Sequence, residues 1–236
     1  MRSLILSTVV ALLLCLVPQL AHAQFGLKVP KFDTGPVKKT LAEIDKVVAE
    51  YEDATEKVWT ATEAMQEIIK TYAAGEFPIL EKPWGEIRKM IKEAKDEAAR
   101  TAAFELSEKY FKEMDERKKA VDAIMDDPVK ATDLKGKLQP PELEQLKTIA
   151  ANLKPVPKQD TELVTRATKL TADTTKAVAD LGTQAAKDPL KAADYKKLID
   201  QCNKGIEKLN KIPTELEKQI KAIEGVLSNL AKLLGE

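Results

Sequence analysis

Few side chains in this sequence are of the types that carry covalent chemistry. The 236 residues contain one histidine, His22, and two cysteines, Cys15 and Cys202, and the serines beyond residue 23 are Ser107 and Ser228. Histidine is the usual general base beside a serine or cysteine nucleophile, and it is a frequent zinc ligand. The fate of His22 therefore decides much of the chemistry that the chain can perform.

The first 23 residues have the layout of a secretory signal peptide. Arg2 gives a positive start, residues 4–17 form an apolar run, and Ala21-His22-Ala23 is a small-x-small cleavage sequence. We expect cleavage after Ala23, with an uncleaved anchor or a lipid attached at Cys15 as the alternatives. The predicted location is therefore outside the cytoplasm, as a periplasmic or secreted protein of a bacterium.

Cleavage would remove the histidine and one of the two cysteines. It leaves 213 of the 236 residues, and since it removes one of 38 basic and none of 38 acidic side chains, the balance becomes 37 to 38. Without histidine, a Ser-His-Asp or Cys-His site, a Cys/His zinc site and a Glu-x-x-His di-iron site are excluded within one chain. We therefore expect no enzyme activity, no metal and no cofactor.

Charge and hydropathy restrict the partners of the mature chain. A balance near zero offers no basic surface for the phosphates of nucleic acid, so none is expected to bind. No apolar run of about 18 residues follows Ala23, so no transmembrane segment is expected. The expected contact is a protein partner, or self-association through helices, and a lipid surface is the alternative.

Cys202 is the remaining thiol. It falls on the apolar face of a predicted helix, where a free cysteine is usually a small buried filler. An odd thiol in an exported protein can also pair with a second chain, so an intermolecular disulfide at Cys202 is the alternative interpretation.

Acidic residues cluster at three places, namely Asp96 and Glu97, then Glu113, Asp115 and Glu116, then Asp126 and Asp127. None of these clusters surrounds the sharp glycine turn that a calcium-binding loop needs. Glu113 stands four residues before Arg117, and Asp115 stands four before Lys119, which is the spacing of ion pairs along one helix. We therefore expect these charges to lie on a solvated helix face.

The elements that must position these residues have the pattern of long helices. From Pro36 to Ala74, 39 residues run without an interior glycine or proline, and apolar side chains alternate at spacings of four and three. This is a heptad pattern, and a helix of that length spans roughly 58 Å at about 1.5 Å per residue. With Thr55 and Thr62 filling two positions, the predicted interaction seam consists of Val37, Leu41, Ile44, Val48, Tyr51, Val58, Met65, Ile69 and Tyr72.

A glycine- and proline-containing turn at residues 75–83 separates this helix from a second one. The second helix is predicted from Trp84 to about Asp126, folded back antiparallel on the first because the turn is short. Its apolar phase slips between Ala98 and Phe104, so its seam is less regular.

Aromatic residues concentrate in these two helices, and they are Tyr51, Trp59, Tyr72, Trp84, Phe104, Tyr110 and Phe111. Most of them fall on or beside the apolar stripes. Packing in the core is therefore the favoured interpretation, and a pocket for an apolar ligand is the alternative.

Beyond Asp127-Pro128 the chain is rich in proline. Residues 127–159 are predicted to form a connector with short helices near 129–137 and 141–153, followed by an extended link. A helix tolerates proline in its first turn but not in its interior. The prolines of this region therefore limit its helices to short ones.

Two further helices are predicted, one capped by Asp160 and one opened by Pro189. Within the second, Pro213 allows either a kinked continuous helix or a short turn, the latter supported by a capping box from Thr214 to Glu217. The second predicted interaction seam follows Pro213 in both cases and consists of Leu216, Ile220, Ile223, Leu227, Leu230 and Leu234.

The sequence therefore predicts an all-α fold, an elongated helical bundle with coiled-coil-like heptad seams, antiparallel long helices and a Pro-rich connector. Its predicted divisions are a signal peptide (1–23), an extended N-terminal arm (24–35), a long antiparallel helical hairpin (36–126), the connector (127–159) and a C-terminal helical hairpin (160–236). The expected function is that of an exported non-enzymatic protein acting through protein–protein contacts as a scaffold, spacer or adaptor. A lipid- or membrane-interacting amphipathic bundle is the alternative, and a helical carrier of an apolar ligand is a third hypothesis.

Overall fold

The computed structural model describes residues 35–72, 77–187 and 189–235. Of these, 91% are helical and none lies in a strand, and long helices pack antiparallel. The predicted all-α bundle is therefore confirmed. The predicted signal peptide (1–23) and all of the predicted arm except Gly35 lie outside the described residues.

Seven α-helices follow one another in the described part of the chain. They are α1 (Gly35–Tyr72), α2 (Trp84–Glu93), α3 (Glu97–Met125), α4 (Pro128–Lys137), α5 (Pro140–Leu153), α6 (Val156–Lys187) and α7 (Ala192–Leu234), and a 3-10 turn at Pro189–Lys191 precedes α7. Only two or three non-helical residues separate each helix from the next between α2 and α6.

α1 agrees with the first predicted helix to within two residues at each end. The apolar residues of the predicted seam from Val37 to Ile69 are buried, as is Thr55, while Thr62 and Tyr72 are partly exposed. Val47, which the heptad pattern leaves out, is also buried. The buried face of α1 is therefore wider than a two-position heptad stripe in this region.

The single helix predicted from Trp84 to Asp126 is wrong, because the chain leaves the helical conformation at Ala94, where ψ is 115°. Asp96 then adopts an extended conformation, and its carboxylate accepts a hydrogen bond from the backbone N–H of Ala99 at 2.8 Å. An aspartate that caps a new helix in this way competes with helix continuation. The phase slip near Ala98 marks this break.

The break changes the direction of packing in the predicted first hairpin. α2 runs antiparallel to α1, since Glu56 pairs with Arg88 while Glu63 binds the backbone of Trp84. After the break α3 turns back and runs in the same direction as α1, as the pairs Glu63–Tyr110 and Glu67–Arg117 show. The predicted antiparallel partner of α1 is therefore the ten-residue α2 rather than a long helix.

The connector contains both predicted short helices, α4 and α5. The Asp127 carboxylate caps α4 by accepting from the N–H groups of Val129 and Lys130 at 3.0 and 3.2 Å. The extended link predicted before Asp160 is wrong, because α6 begins at Val156. Pro157 lies in the first turn of α6, where a missing N–H costs no hydrogen bond.

Pro213 lies inside α7, which is continuous from Ala192 to Leu234. Of the two interpretations, the continuous helix is the one adopted, and the turn with a capping box at Thr214 is not. An interior proline costs about 3 kcal/mol in a helix. Burial of Ile212 and Leu216 on either side of Pro213 opposes that cost.

The chain divides into two compact units. In terms of described residues, the first unit consists of 55–72, 77–157 and 219–235, and the second of 35–54, 158–187 and 189–218. In the second unit, Arg166 of α6 pairs with Glu43 and Glu50 of α1. α7 approaches α1 closely at Gly205, where an added Cβ would lie 2.7 Å from Ile44 Cδ1.

Candidate functional site

The densest group of chemically capable side chains lies in the first unit, where α1, α2 and α3 meet. Its centre is an aromatic cluster of Trp59, Trp84, Tyr110 and Phe111. The ring of Trp84 lies 4.9 Å from that of Phe111 and 5.4 Å from that of Tyr110, between ring centroids. Trp59 packs on Phe111 at 5.2 Å in an edge-on geometry. Such geometries are those of well-packed aromatic side chains.

Helical spacing brings these rings together. On α2, Ile87 and Ile91 follow Trp84 by three and seven residues, so all three side chains lie on one face, and all three are buried. α3 presents Tyr110 and Phe111 to that face. The preferred interpretation of these aromatics as core is confirmed for Trp84, Tyr110 and Phe111, which are buried.

Glu63 joins all three helices through one carboxylate oxygen. Its Oε1 accepts a hydrogen bond from the backbone N–H of Trp84 at 2.7 Å, which caps the first turn of α2. The same oxygen accepts from the hydroxyl of Tyr110 at 2.5 Å. Burial, together with the adjacent charge of Glu63, raises the pKa of Tyr110 above its usual value, so this hydroxyl remains a hydrogen-bond donor at neutral pH.

Arg117 of α3 is fully buried and binds two segments at once. Its Nε donates to the backbone carbonyl of Pro78 at 2.7 Å, and its Nη1 pairs with Glu67 of α1. Burial raises the pKa of Glu67, but the hydrogen bonds and charges of Arg117 and Lys70 outweigh burial, so this pKa lies below its usual value. Nη2 of Arg117 has no hydrogen-bond partner among the described residues.

The expectation that Arg117 lies on a solvated face is therefore wrong. Glu113, four residues before it, lies instead within 4.0 Å of Lys109, while Asp115 pairs with Lys119 as the spacing predicts. The sequence did contain a signal for burial, since Arg117 stands three residues after Met114 and four before Val121, both buried on α3. Glu63 and Glu67 have no comparable signal, because their roles depend on partners far away in sequence.

Chemically, this arrangement binds helices to one another. The Tyr110 hydroxyl and the Arg117 guanidinium are hydrogen-bonded donors, and Glu63 accepts from two groups. Ser107, one of the two serines of the expected mature chain, is buried, and its hydroxyl donates to the carbonyl of Phe104 at 2.8 Å. None of these contacts pairs a nucleophile with a general base, which is the geometry that nucleophilic catalysis needs.

The two predicted interaction seams are largely buried. Of the second seam, Leu216, Ile223 and Leu230 are fully buried, and Ile220, Leu227 and Leu234 are partly exposed. In the first seam Thr62 and Tyr72 are partly exposed, and the Tyr72 hydroxyl donates to Glu142 at 2.5 Å. Contact with a partner through either complete seam would require the bundle to open, and that role stays a prediction.

Cys202 lies in the second unit with no exposed surface. It is a free thiol, and burial raises its pKa. A buried thiol with a raised pKa is a weak nucleophile, because the reactive form is the thiolate. The intermolecular disulfide also stays a prediction.

Comparison with family models, curated proteins and solved structures yields no match for this chain. None of the described helices combines the length and the apolar character needed to cross a bilayer. Among the described residues, no three histidine, cysteine, aspartate or glutamate side chains come together as a metal site.

Proposed function

We propose that this chain is an exported non-enzymatic helical protein that acts through protein–protein contacts, as a scaffold, spacer or adaptor. The observation that carries the proposal is the use made of its chemically capable side chains. Glu63, Tyr110 and Arg117 hold α1, α2 and α3 together, and Ser107 and Cys202 are buried. The composition expected after cleavage supports the same conclusion, since it lacks histidine.

The outer faces of the helices are what such a protein offers to a partner. They carry charges of both signs in local pairs, including Lys82–Glu86, Lys118–Asp122 and Lys137–Asp133. Mixed charge gives a contact specificity rather than general attraction to nucleic acid or to anionic lipid. Within the part of the chain that the structure describes, the large apolar side chains that are exposed are Ile79, Met90, Val129 and Leu190.

Site-specific photo-crosslinking in the producing cell tests this proposal. A photoreactive residue replaces Val129 or Leu190, which are 77% and 96% exposed, or Lys176 as an exposed polar control position. We expect discrete protein adducts whose pattern depends on the position. Turnover of a substrate by the purified chain at enzyme-like rates, or adducts at none of these positions, would contradict the proposal.

Vesicle flotation separates the proposal from the lipid-binding alternative. The purified chain is mixed with neutral or anionic vesicles and its helicity is recorded before and after. We expect the protein to remain unbound with unchanged helicity, because its apolar stripes are buried. Flotation with either kind of vesicle would favour the lipid-interacting bundle instead.

A further inference from the structure

α2 packs on α1 and α3 and contributes no residue to their larger apolar cluster. It has ten residues, whereas isolated helices shorter than about 12–15 residues are marginal in water. Non-helical residues flank it at 77–83 and 94–96. Its outer face is exposed, while Trp84, Ile87 and Ile91 lie on its inner face and are buried. The stability of α2 as a helix therefore depends on its contacts with α1 and α3.

The described residues of the first unit form two separate apolar clusters, and α2 belongs to only one of them. The smaller cluster consists of Trp84, Ile87, Ile91, Ala103, Tyr110, Phe111 and Met114. The larger cluster joins α1 and α3 to α4, α5 and the end of α7, and it contains no residue of α2. The pair Glu67–Arg117 also joins α1 to α3 without α2. Displacement of α2 would leave the larger cluster intact, as local opening of a subordinate element requires.

The polar contacts that hold α2 would suit any helix of the same pattern. Glu63 caps its first backbone N–H, and every helix offers such unpaired N–H groups in its first turn. Glu56 pairs with Arg88, four residues after Trp84, and Arg88 is nearly buried beside it. The groove between α1 and α3 therefore combines an aromatic floor with two carboxylates at defined positions.

We propose that this groove is a helix-binding site, that α2 occupies it as an intramolecular ligand, and that an amphipathic helix of a partner protein displaces α2. This inference rests on the proposed function and names the site and the kind of partner. The partner helix carries an aromatic residue, branched aliphatic residues three and seven positions later, and a basic residue four positions later. Binding of an amphipathic helix in an apolar groove is a recurrent mode of recognition.

A synthetic peptide with the sequence of residues 82–95 serves as the probe. Its binding is measured by fluorescence anisotropy against the wild-type chain and the variants Arg88→Ala, Lys89→Ala and Glu56→Gln. Arg88→Ala weakens only the intramolecular ligand, because the peptide retains its own arginine. Glu56→Gln weakens both ligands, and Lys89 lies on the exposed face of α2 as a matched control.

We expect Arg88→Ala to bind the peptide about five-fold more tightly than wild type, because the fraction of open groove rises. Lys89→Ala and Glu56→Gln should each change the affinity for the peptide less than about two-fold. Lys89 is exposed, and Glu56→Gln weakens the binding of α2 and of the peptide alike. A peptide with alanine in place of Trp84 and Ile87 should not bind. Hydrogen exchange should be faster in residues 84–93 than in 112–125, and Arg88→Ala should accelerate only the former.

Equal affinity of Arg88→Ala and Lys89→Ala for the peptide, or no binding by any of the chains, would overturn the inference. The inference would also be overturned if Arg88→Ala accelerated hydrogen exchange in residues 84–93 and 112–125 alike, since α2 would then open only together with the whole unit. Retained protection of 112–125 shows that each variant is folded. The proposed function fails by a different result, namely the absence of protein adducts in the crosslinking experiment, so the two failures are distinguishable.

Discussion

The Tyr110 hydroxyl donates to the Glu63 carboxylate at 2.5 Å, across 47 positions of sequence. Glu63 also caps α2 through the N–H of Trp84. The same carboxylate therefore links α1 and α3, which run in the same direction, to α2, which runs antiparallel to them. Buried hydrogen bonds to a charged acceptor are among the stronger single contacts in a fold. The region around Glu63 is thus the most informative place to perturb the first unit.

Replacing Tyr110 by phenylalanine keeps the ring and removes the hydroxyl. We expect a loss of about 1.5–3 kcal/mol in the free energy of unfolding, because the hydrogen bond to a charged group is lost inside the protein. Tyr72→Phe is the matched control, since its hydroxyl also donates to a carboxylate, Glu142, but is partly exposed. Urea denaturation followed by circular dichroism measures the stability of both variants. Equal losses would contradict a special role for the hydroxyl of the buried Tyr110.

Arg117 should tolerate substitution poorly. Arg117→Met fills the buried space but removes the donor to Pro78 and the partner of Glu67, and we expect a loss of about 2–3 kcal/mol. Glu67 is half exposed, so water can solvate its carboxylate and limit the loss. Lys118→Met removes only an exposed pair with Asp122 and should cost less than about 0.5 kcal/mol. Calorimetry measures the stability of both variants. A comparable loss of stability in Arg117→Met and Lys118→Met would show that the buried contacts of Arg117 contribute little to the stability of the fold.

The pKa of Glu67 lies below its usual value of 4.5 in the folded chain. A lowered carboxyl pKa stabilises the fold above pH 4.5, and that stabilisation is lost as the pH falls through the folded-state pKa, where both states bind the proton. Unfolding midpoints in urea, measured from pH 7 to pH 3, should therefore fall less steeply for Arg117→Met than for the wild type. A steeper decline in Arg117→Met would reverse the sign of this linkage.

The second unit can be tested at Gly205. Gly205→Ala places a Cβ 2.7 Å from Ile44 Cδ1, and displacing that buried side chain should cost about 1–2 kcal/mol. Gly182→Ala, with nothing within 4 Å of its Cβ, should instead stabilise α6 by up to about 1 kcal/mol. Adding Ile44→Val to Gly205→Ala removes Cδ1 and should recover part of the loss. Thermal melting of the four chains tests the sign of each change.

Burial of Cys202 leads to a prediction about reactivity. Its thiol should react with a water-soluble disulfide reagent at least about 100-fold more slowly in the folded chain than in urea, because the thiolate is inaccessible and disfavoured. Electrophoresis without reductant should show the mass of one chain. A band at twice that mass, abolished by Cys202→Ala, would instead support the intermolecular disulfide.

The helices of the connector show which features of this fold are local. Asp127 followed by Pro128 predicts the start of α4, and the structure places the cap and the first-turn proline there. The break at Asp96 uses the same capping chemistry, but Asp96 also fits the pattern of an exposed acidic cluster on a longer helix. Local patterns identify residues able to end a helix, and packing decides which of them do so.

At Pro213, too, packing decides between structures that the local sequence allows, and here it keeps a helix continuous rather than ending one. The sequence context of Pro213 allows a turn as readily as an interior position, since the capping box that follows favours the turn and the four-three apolar spacing that continues through the proline favours one helix. The structure keeps α7 continuous, with Ile212 and Leu216 buried next to the proline. Burial of apolar side chains on both sides is a tertiary contribution that no local rule includes.

By itself, the sequence determined that the described part of the chain is all-α, where α1 lies, and most of the apolar residues that face inward, because these depend on periodicity within one helix. The tertiary structure decided that α3 runs alongside α1 in the same direction, and that Arg117 lies inside rather than in solvent. The partners of Arg117 stand 39 and 50 positions away, at Pro78 and Glu67. Spacing along one helix cannot show contacts made across such distances, since they exist only once separate helices have packed.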